Sequence, residues 1–130
     1  MLKVTIDRAK WRTGRFGLPL AISAAGDSAL LNVEGNRCCL GFLGQACGVD
    51  IEERSCYPRN VPGPWPAKLF DVTEHRSRYG MNCTWEDVFV SSNDADDTDD
   101  ATREAWIAEG FRTVLDAEVE FIGEYPETTP

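Results

Sequence analysis

Cys38-Cys39-Leu40-Gly41-Phe42-Leu43-Gly44-Gln45-Ala46-Cys47-Gly48 is the most apolar stretch of the chain. Cys39, Phe42, Leu43, Ala46 and Cys47 fall on one face at helical spacing, whereas a half-buried strand would show strict alternation. The stretch reads as the central buried helix, with Asn36 as its N-cap and Gly48 just past its end. Gly41 and Gly44 inside it cost about 1 kcal/mol each in helix propensity. Their presence predicts that another element approaches the helix closely.

Working outward toward the N-terminus, Glu34-Gly35-Asn36 reads as a turn closing the short apolar segment Ala29–Val33. Residues 14–28, with three Gly and one Pro, read as loop. Leu2, Val4 and Ile6 alternate with Lys3, Thr5 and Asp7, the period of a strand. Asp7 is placed to cap a short helix, Arg8 to Thr13, with Trp11 buried and Gly14 ending it.

Toward the C-terminus, Asp50 and Glu53 have the spacing of a capping box for one more turn. Pro58, Pro62, Pro64 and Pro66 forbid regular helix or central strand, and Trp65 among them is expected to pin this loop to the core. Residues 68–83 are compatible with strand or helix. Thr84 or Asn82 can cap a helix through Trp85, Val88, Phe89 and Val90. The polar run Ser91–Asp100 reads as an acidic loop, followed by an amphipathic helix from Ala101 to Leu115. Ile107, Gly110, Phe111 and Val114 form its stripe with Trp106 beside it, and the preceding aspartates suit its positive N-terminal end. Ala117–Ile122 alternates as a closing strand, and Gly123–Pro130 is expected to fray. The clearest strands are the first and the last. The economical fold is one α+β domain over residues 1–130: the terminal strands lie adjacent in a small sheet, covered by the Cys-rich helix and the C-terminal helix.

The 130 residues carry thirteen Lys and Arg against twenty-two Asp and Glu, a net charge of −9. That balance argues against an independent nucleic-acid binder and against a basic membrane-surface helix. No apolar run approaches the ~20 residues of a membrane span, and the first residues lack a signal-peptide core. A soluble cytosolic protein is expected. The charge is also segregated. Residues 1–85 hold eleven basic and eight acidic side chains, whereas residues 86–130 hold two basic and fourteen acidic, a net of −12. Five basic residues (Lys3, Arg8, Lys10, Arg12, Arg15) against one Asp crowd the first twenty positions.

At Gly35-Asn36-Arg37-Cys38-Cys39-Leu40-Gly41-Phe42-Leu43, followed by Ala46-Cys47-Gly48, the chain resembles a family of small tailed-phage proteins. It is similar to them as well in Ile6-Asp7-Arg8-Ala9-Lys10-Trp11, in Asn93-Asp94 leading to Arg103-Glu104, and in Val119-Glu120-Phe121. The resemblance covers most of the chain outside 14–28 and 55–83. It implies a phage or prophage accessory protein acting in the host cytoplasm, and names no activity.

Cys38, Cys39, Cys47, Cys56 and Cys83 are odd in number and lack the close pairing of structural zinc ligands. Core filling is the expected role, since free Cys packs as a small hydrophobe. A catalytic Cys with His75 is disfavoured, because an apolar helix opposes a thiolate. Read from Asp94, the acidic loop has Asp99 where a calcium loop requires Gly and Ala105 where it requires Glu. No metal or other cofactor is expected. What remains is a partner surface of Asp94, Asp96, Asp97, Asp99, Asp100 and Glu104, imitating the charge of a polyanion. The expected function is non-catalytic: binding and inhibiting a host protein with a basic surface, such as a CRISPR effector or another defence component. The alternative is a metal- or thiol-dependent enzyme acting on a nucleotide or small molecule. A homodimer is expected if one domain cannot cover the Cys38–Gly48 face.

Overall fold

The computed structural model describes residues 1–13, 30–31, 35–51, 57–76, 82–94 and 98–125. The chain opens with strand β1 (Leu2–Asp7), then helix α1 (Cys39–Cys47). Two 3-10 turns, Pro58–Asn60 and Ala67–Phe70, lead to strands β2 (Val72–Arg76) and β3 (Asn82–Thr84). Helices α2 (Trp85–Asp94) and α3 (Asp100–Leu115) follow, and β4 (Ala117–Ile122) closes the fold. β1 pairs with β4 in parallel, Leu2 opposite Ala117 through Asp7 opposite Ile122, while β2 and β3 form a separate antiparallel pair. The terminal strands are thus adjacent, as their alternation predicts. α1 packs on β1, α3 packs on β4, and α2 touches both helices.

The core follows from the periodicities. Val4 and Ile6 on β1, Leu40 and Leu43 on α1, and Ile107 and Phe111 on α3 are fully buried. The glycines of α1 are explained by proximity. A Cβ on Gly41 would collide with the carbonyl oxygen of Leu30, and one on Gly44 would lie 2.6 Å from the Trp65 ring. Trp65 does pin the proline-rich segment: it is buried, and its Nε1 donates to the Val61 carbonyl at 2.9 Å. Gly48 ends α1 with φ of 77°, a left-handed conformation that glycine adopts without steric cost. Thr84 and Asp87 form a reciprocal cap for α2, each side chain accepting from the other's backbone N–H at 3.2 and 3.3 Å.

Four expectations are corrected. Arg8–Thr13 is a turn and a bridge, not a helix. Asp7 Oδ1 accepts from Ala9 N at 3.0 Å, and the chain is then captured by pairing between Trp11 and Arg37. Backbone bonds from Arg12 N to the Arg37 carbonyl (2.7 Å) and from Arg37 N to the Lys10 carbonyl (3.0 Å) occupy the groups a helix would use. The N-cap of α1 is Cys38, not Asn36; Cys38 makes no side-chain cap, and a residue from α2 supplies the missing acceptor. Ser91–Asp94 extend α2, so the acidic loop is shorter than its composition predicts. The tail is held beyond Gly123, because Tyr125 stacks on Trp11 at 6.1 Å and bonds to α3. The Glu53 half of the Asp50 capping box and the remaining tail, 126–130, lie outside the described residues.

Candidate functional site

The carboxylates singled out from the sequence fall at the α2–α3 junction and along the first turns of α3. Asp99 is the N-cap of α3; its Oδ1 accepts from Thr102 N at 2.7 Å, and these hydrogen bonds hold its carboxyl below the ordinary range. Asp100 lies 3.3 Å from the guanidinium of Arg103, a side chain with no exposed surface. Asp94, exposed at the end of α2, accepts from Asn93 Nδ2 at 2.9 Å. Asp96 and Asp97 lie outside the described residues.

Glu104 is engaged within the chain. Arg8 grips it with two bonds, Nε to Oε2 at 2.9 Å and Nη2 to Oε1 at 2.7 Å, while the Tyr125 hydroxyl donates to Oε2 at 2.6 Å. Arg8 also lies over the rings of Phe121 and Tyr125. The guanidinium, followed by the tyrosine hydroxyl, holds the Glu104 carboxyl below its usual range. The Tyr125 hydroxyl is pushed up by burial and by the carboxylate it serves. The basic N-terminal turn and the acidic third therefore attract each other within one chain.

The outward carboxylates lie elsewhere. Asp116, Glu118, Glu120 and Glu124 are exposed before, along and after β4. Glu118 and Glu120 share the solvent side of the strand, about 7 Å apart by strand geometry, and Glu120 pairs with Lys3 at 2.7 Å. The alternation of β4 marked these two positions as outward-facing, but the denser Asp run drew the site assignment away from them.

Cys38 and Cys39 take the core role, and Cys47 packs against that core. Cys38 and Cys39 are buried, and burial pushes the Cys38 thiol up to about 12 and Cys39 well above its ordinary value. Cys47 and Cys83 are half-buried, with Cys47 also raised by burial. Thiols held protonated are poor nucleophiles. Cys56 and the side chain of His75 lie outside the described residues. Among the described residues, no three His, Cys, Asp or Glu side chains converge to hold a metal ion, and no helix is long and apolar enough to cross a membrane.

Three features went unrecognised in the sequence. Asn93, within the supposed loop, is fully buried and organises the N-terminus of α1. Glu86 is buried against Arg59, accepting from its backbone N at 2.7 Å, with its carboxyl raised by burial. Arg37 lines a cleft beside Lys10. The basic excess of the first twenty residues was the one available sign of that cleft. No protein-family model, curated protein or solved structure matches the chain.

Proposed function

We propose that the chain is a non-catalytic phage accessory protein whose acidic C-terminal third binds a basic surface of a host protein and blocks it. The observation that carries this reading is charge segregation: fourteen acidic against two basic side chains from residue 86 onward. The resemblance around Gly35–Gly48 supports the phage setting. Of the acidic residues, Asp99, Asp100 and Glu104 have structural duties, so the contact surface is drawn from Asp116, Glu118, Glu120 and Glu124, joined by Asp94. Like-signed carboxylates along a strand focus a negative potential that speeds encounter with a cationic patch and weakens with salt. The test is affinity capture from host lysate at ~50 and ~300 mM salt, between which the Debye length shortens from about 14 to about 6 Å. The wild-type chain is set against D116N/E118Q/E120Q/E124Q. A partner held at low salt, and lost both with salt and with the fourfold variant, supports the proposal. Capture of nothing, or undiminished capture by the variant, overturns it.

A further inference from the structure

We propose that the cleft between β1 and α1 binds a small phosphorylated molecule. The cleft has a volume of about 450 Å³, within the range of small-molecule sites, and lies at the seam between the outer side of β1 and the C-terminal half of α1. Its cations are Lys3, Lys10 and Arg37; its one carboxylate among the described lining residues is Asp7. A net positive recess is the opposite of what a chain of charge −9 would present by chance composition.

The two central cations are built into place. The backbone bond from Arg37 N to the Lys10 carbonyl, with its neighbour from Arg12 N to the Arg37 carbonyl, locks Lys10 and Arg37 side by side across a break of 26 intervening residues. Three other arginines are paired with carboxylates: Arg8 with Glu104, Arg59 with Glu86, and Arg112 with Glu109. Arg37 is the exception among these described arginines, with a long 3.4 Å bond from Nη1 to the Gly41 carbonyl and no described carboxylate partner. It is half-buried, and loss of water lowers its affinity for the proton. A guanidinium kept partly dry with donors to spare is suited to a bidentate phosphoryl group. Lys10 adds a point charge from the exposed side. Lys3 contributes less, since Glu120 already holds it at 2.7 Å.

The rest of the lining sets the ligand class. Thr5 and Gln45 offer neutral hydrogen-bonding groups, while Phe42 and Ala46 supply an apolar wall. A bare inorganic ion would leave that wall unused. A phosphoryl group attached to a small organic body uses both parts of the site. The site adjoins the acidic surface proposed above through the Lys3–Glu120 pair, but neither proposal is a premise of the other, and either survives failure of the other.

Titration of the full chain with adenosine 5′-monophosphate, pyrophosphate, adenosine and citrate, followed by calorimetry and by amide chemical shifts, tests the proposal. Adenosine monophosphate should bind saturably with Kd between about 10 μM and 1 mM, shifting the amides of Lys10, Arg37 and Gln45, with pyrophosphate weaker. Arg37→Gln and Lys10→Gln should each weaken binding about tenfold, the loss of one charge-assisted bond. Lys10 is exposed, so its variant keeps the test valid even if Arg37→Gln perturbs folding. Lys68→Gln, on a surface turn outside the cleft, should change nothing. No saturation by ~10 mM, about ten times the weakest expected Kd and enough to fill roughly 90% of such a site, overturns the proposal. Equal binding of adenosine or citrate, or equal weakening by Lys68→Gln, overturns it as well.

Discussion

Asn93 ties three segments of the fold together through one side chain. Its Oδ1 accepts from Trp11 Nε1 at 2.7 Å and from Cys39 N at 2.9 Å; its Nδ2 donates to the Arg12 carbonyl at 2.7 Å and to Asp94 at 2.9 Å. Both lone pairs and both protons are used, so one amide joins the N-terminal turn, α1 and α2. It also serves as the cap that Cys38 cannot provide. Truncation would strand buried donors and an acceptor at about 1–3 kcal/mol each, partly relieved by relaxation. Asn93→Ala should therefore cost about 3–5 kcal/mol, read as a lowered urea midpoint at unchanged slope; a loss below ~1 kcal/mol would refute the keystone role. Asn93 was hidden in the sequence because an Asn inside a polar acidic run looks like loop chemistry. Its burial comes from tertiary contacts that no local pattern encodes.

Glu104 gives the residue scale its pH dependence. Its folded carboxyl titrates below the ordinary value because Arg8 and then Tyr125 favour the charged form. A depressed folded value means that the stabilisation is complete above the unfolded pKa, about 4.3, and is lost as pH falls through the folded one. Glu104→Gln should be less stable at pH 7 by about 1.5–3 kcal/mol, the worth of hydrogen bonds to a charged group. The gap to wild type should narrow as pH falls through the folded value, in denaturation curves taken from pH 7 into the acid range. Glu86 has the opposite sign: with its folded value raised by burial, its contribution is complete below the unfolded pKa and declines as pH rises through the folded one. A wild-type and E104Q pair that stays parallel throughout the acid range would remove Glu104 from this account.

At the scale of elements, two of the glycines that bear on α1, Gly44 and Gly48, act through different physics. Gly44→Ala gains about 1 kcal/mol of helix propensity but sets a methyl 2.6 Å from Trp65 and 2.7 Å from Ile51 Cδ1. Overpacking of that kind costs about 1–3 kcal/mol, so a net loss is expected in chemical denaturation. Gly48→Ala meets open space, yet φ of 77° strains any L side chain by about 1–2 kcal/mol. Gly48→Asn should recover part of that loss, because Asn tolerates the left-handed region; no such conservative rescue is expected at Gly44. The elements with clean periodicity (β1, α1, α3 and β4) were legible; Thr84, offered with Asn82 as a cap for α2, accepts from Asp87 N, but the return bond from Thr84 N to Asp87 had no reading in the sequence. The Arg8–Thr13 segment was not, because its backbone groups are claimed by Arg37, distant in the chain. Among the carboxylates, local charge density showed where they cluster and the alternation of β4 showed Glu118 and Glu120 facing outward, but no local pattern showed that Arg8 and Tyr125 hold Glu104.

The whole molecule is closed by its two ends. Each β1–β4 pair joins residues about 115 positions apart, and Val4 and Ile6, fully buried, lie in that pair beneath α1. The six buried residues Cys39–Gly44 place the apolar face of α1 inside one chain, so that face does not require a second copy to cover it. Closure at such separation makes long-range contact formation the slow event, with folding expected in the millisecond-to-second range. It also makes the C-terminal strand indispensable. Removing residues 117–130 would leave one isolated strand without its ladder, uncover the Val4 and Ile6 side of the core, and delete the Tyr125 contact to Glu104 and Trp11. A lone strand gains no ladder bonds, and an uncovered small core falls below the burial needed for marginal stability. The truncated chain should show no cooperative thermal transition and collapsed amide dispersion, whereas deletion of 126–130 alone should leave both near wild type. A cooperative transition in the chain ending at Asp116 would show that α1, α2 and α3 form a self-sufficient core and that the parallel pair is an addition to it.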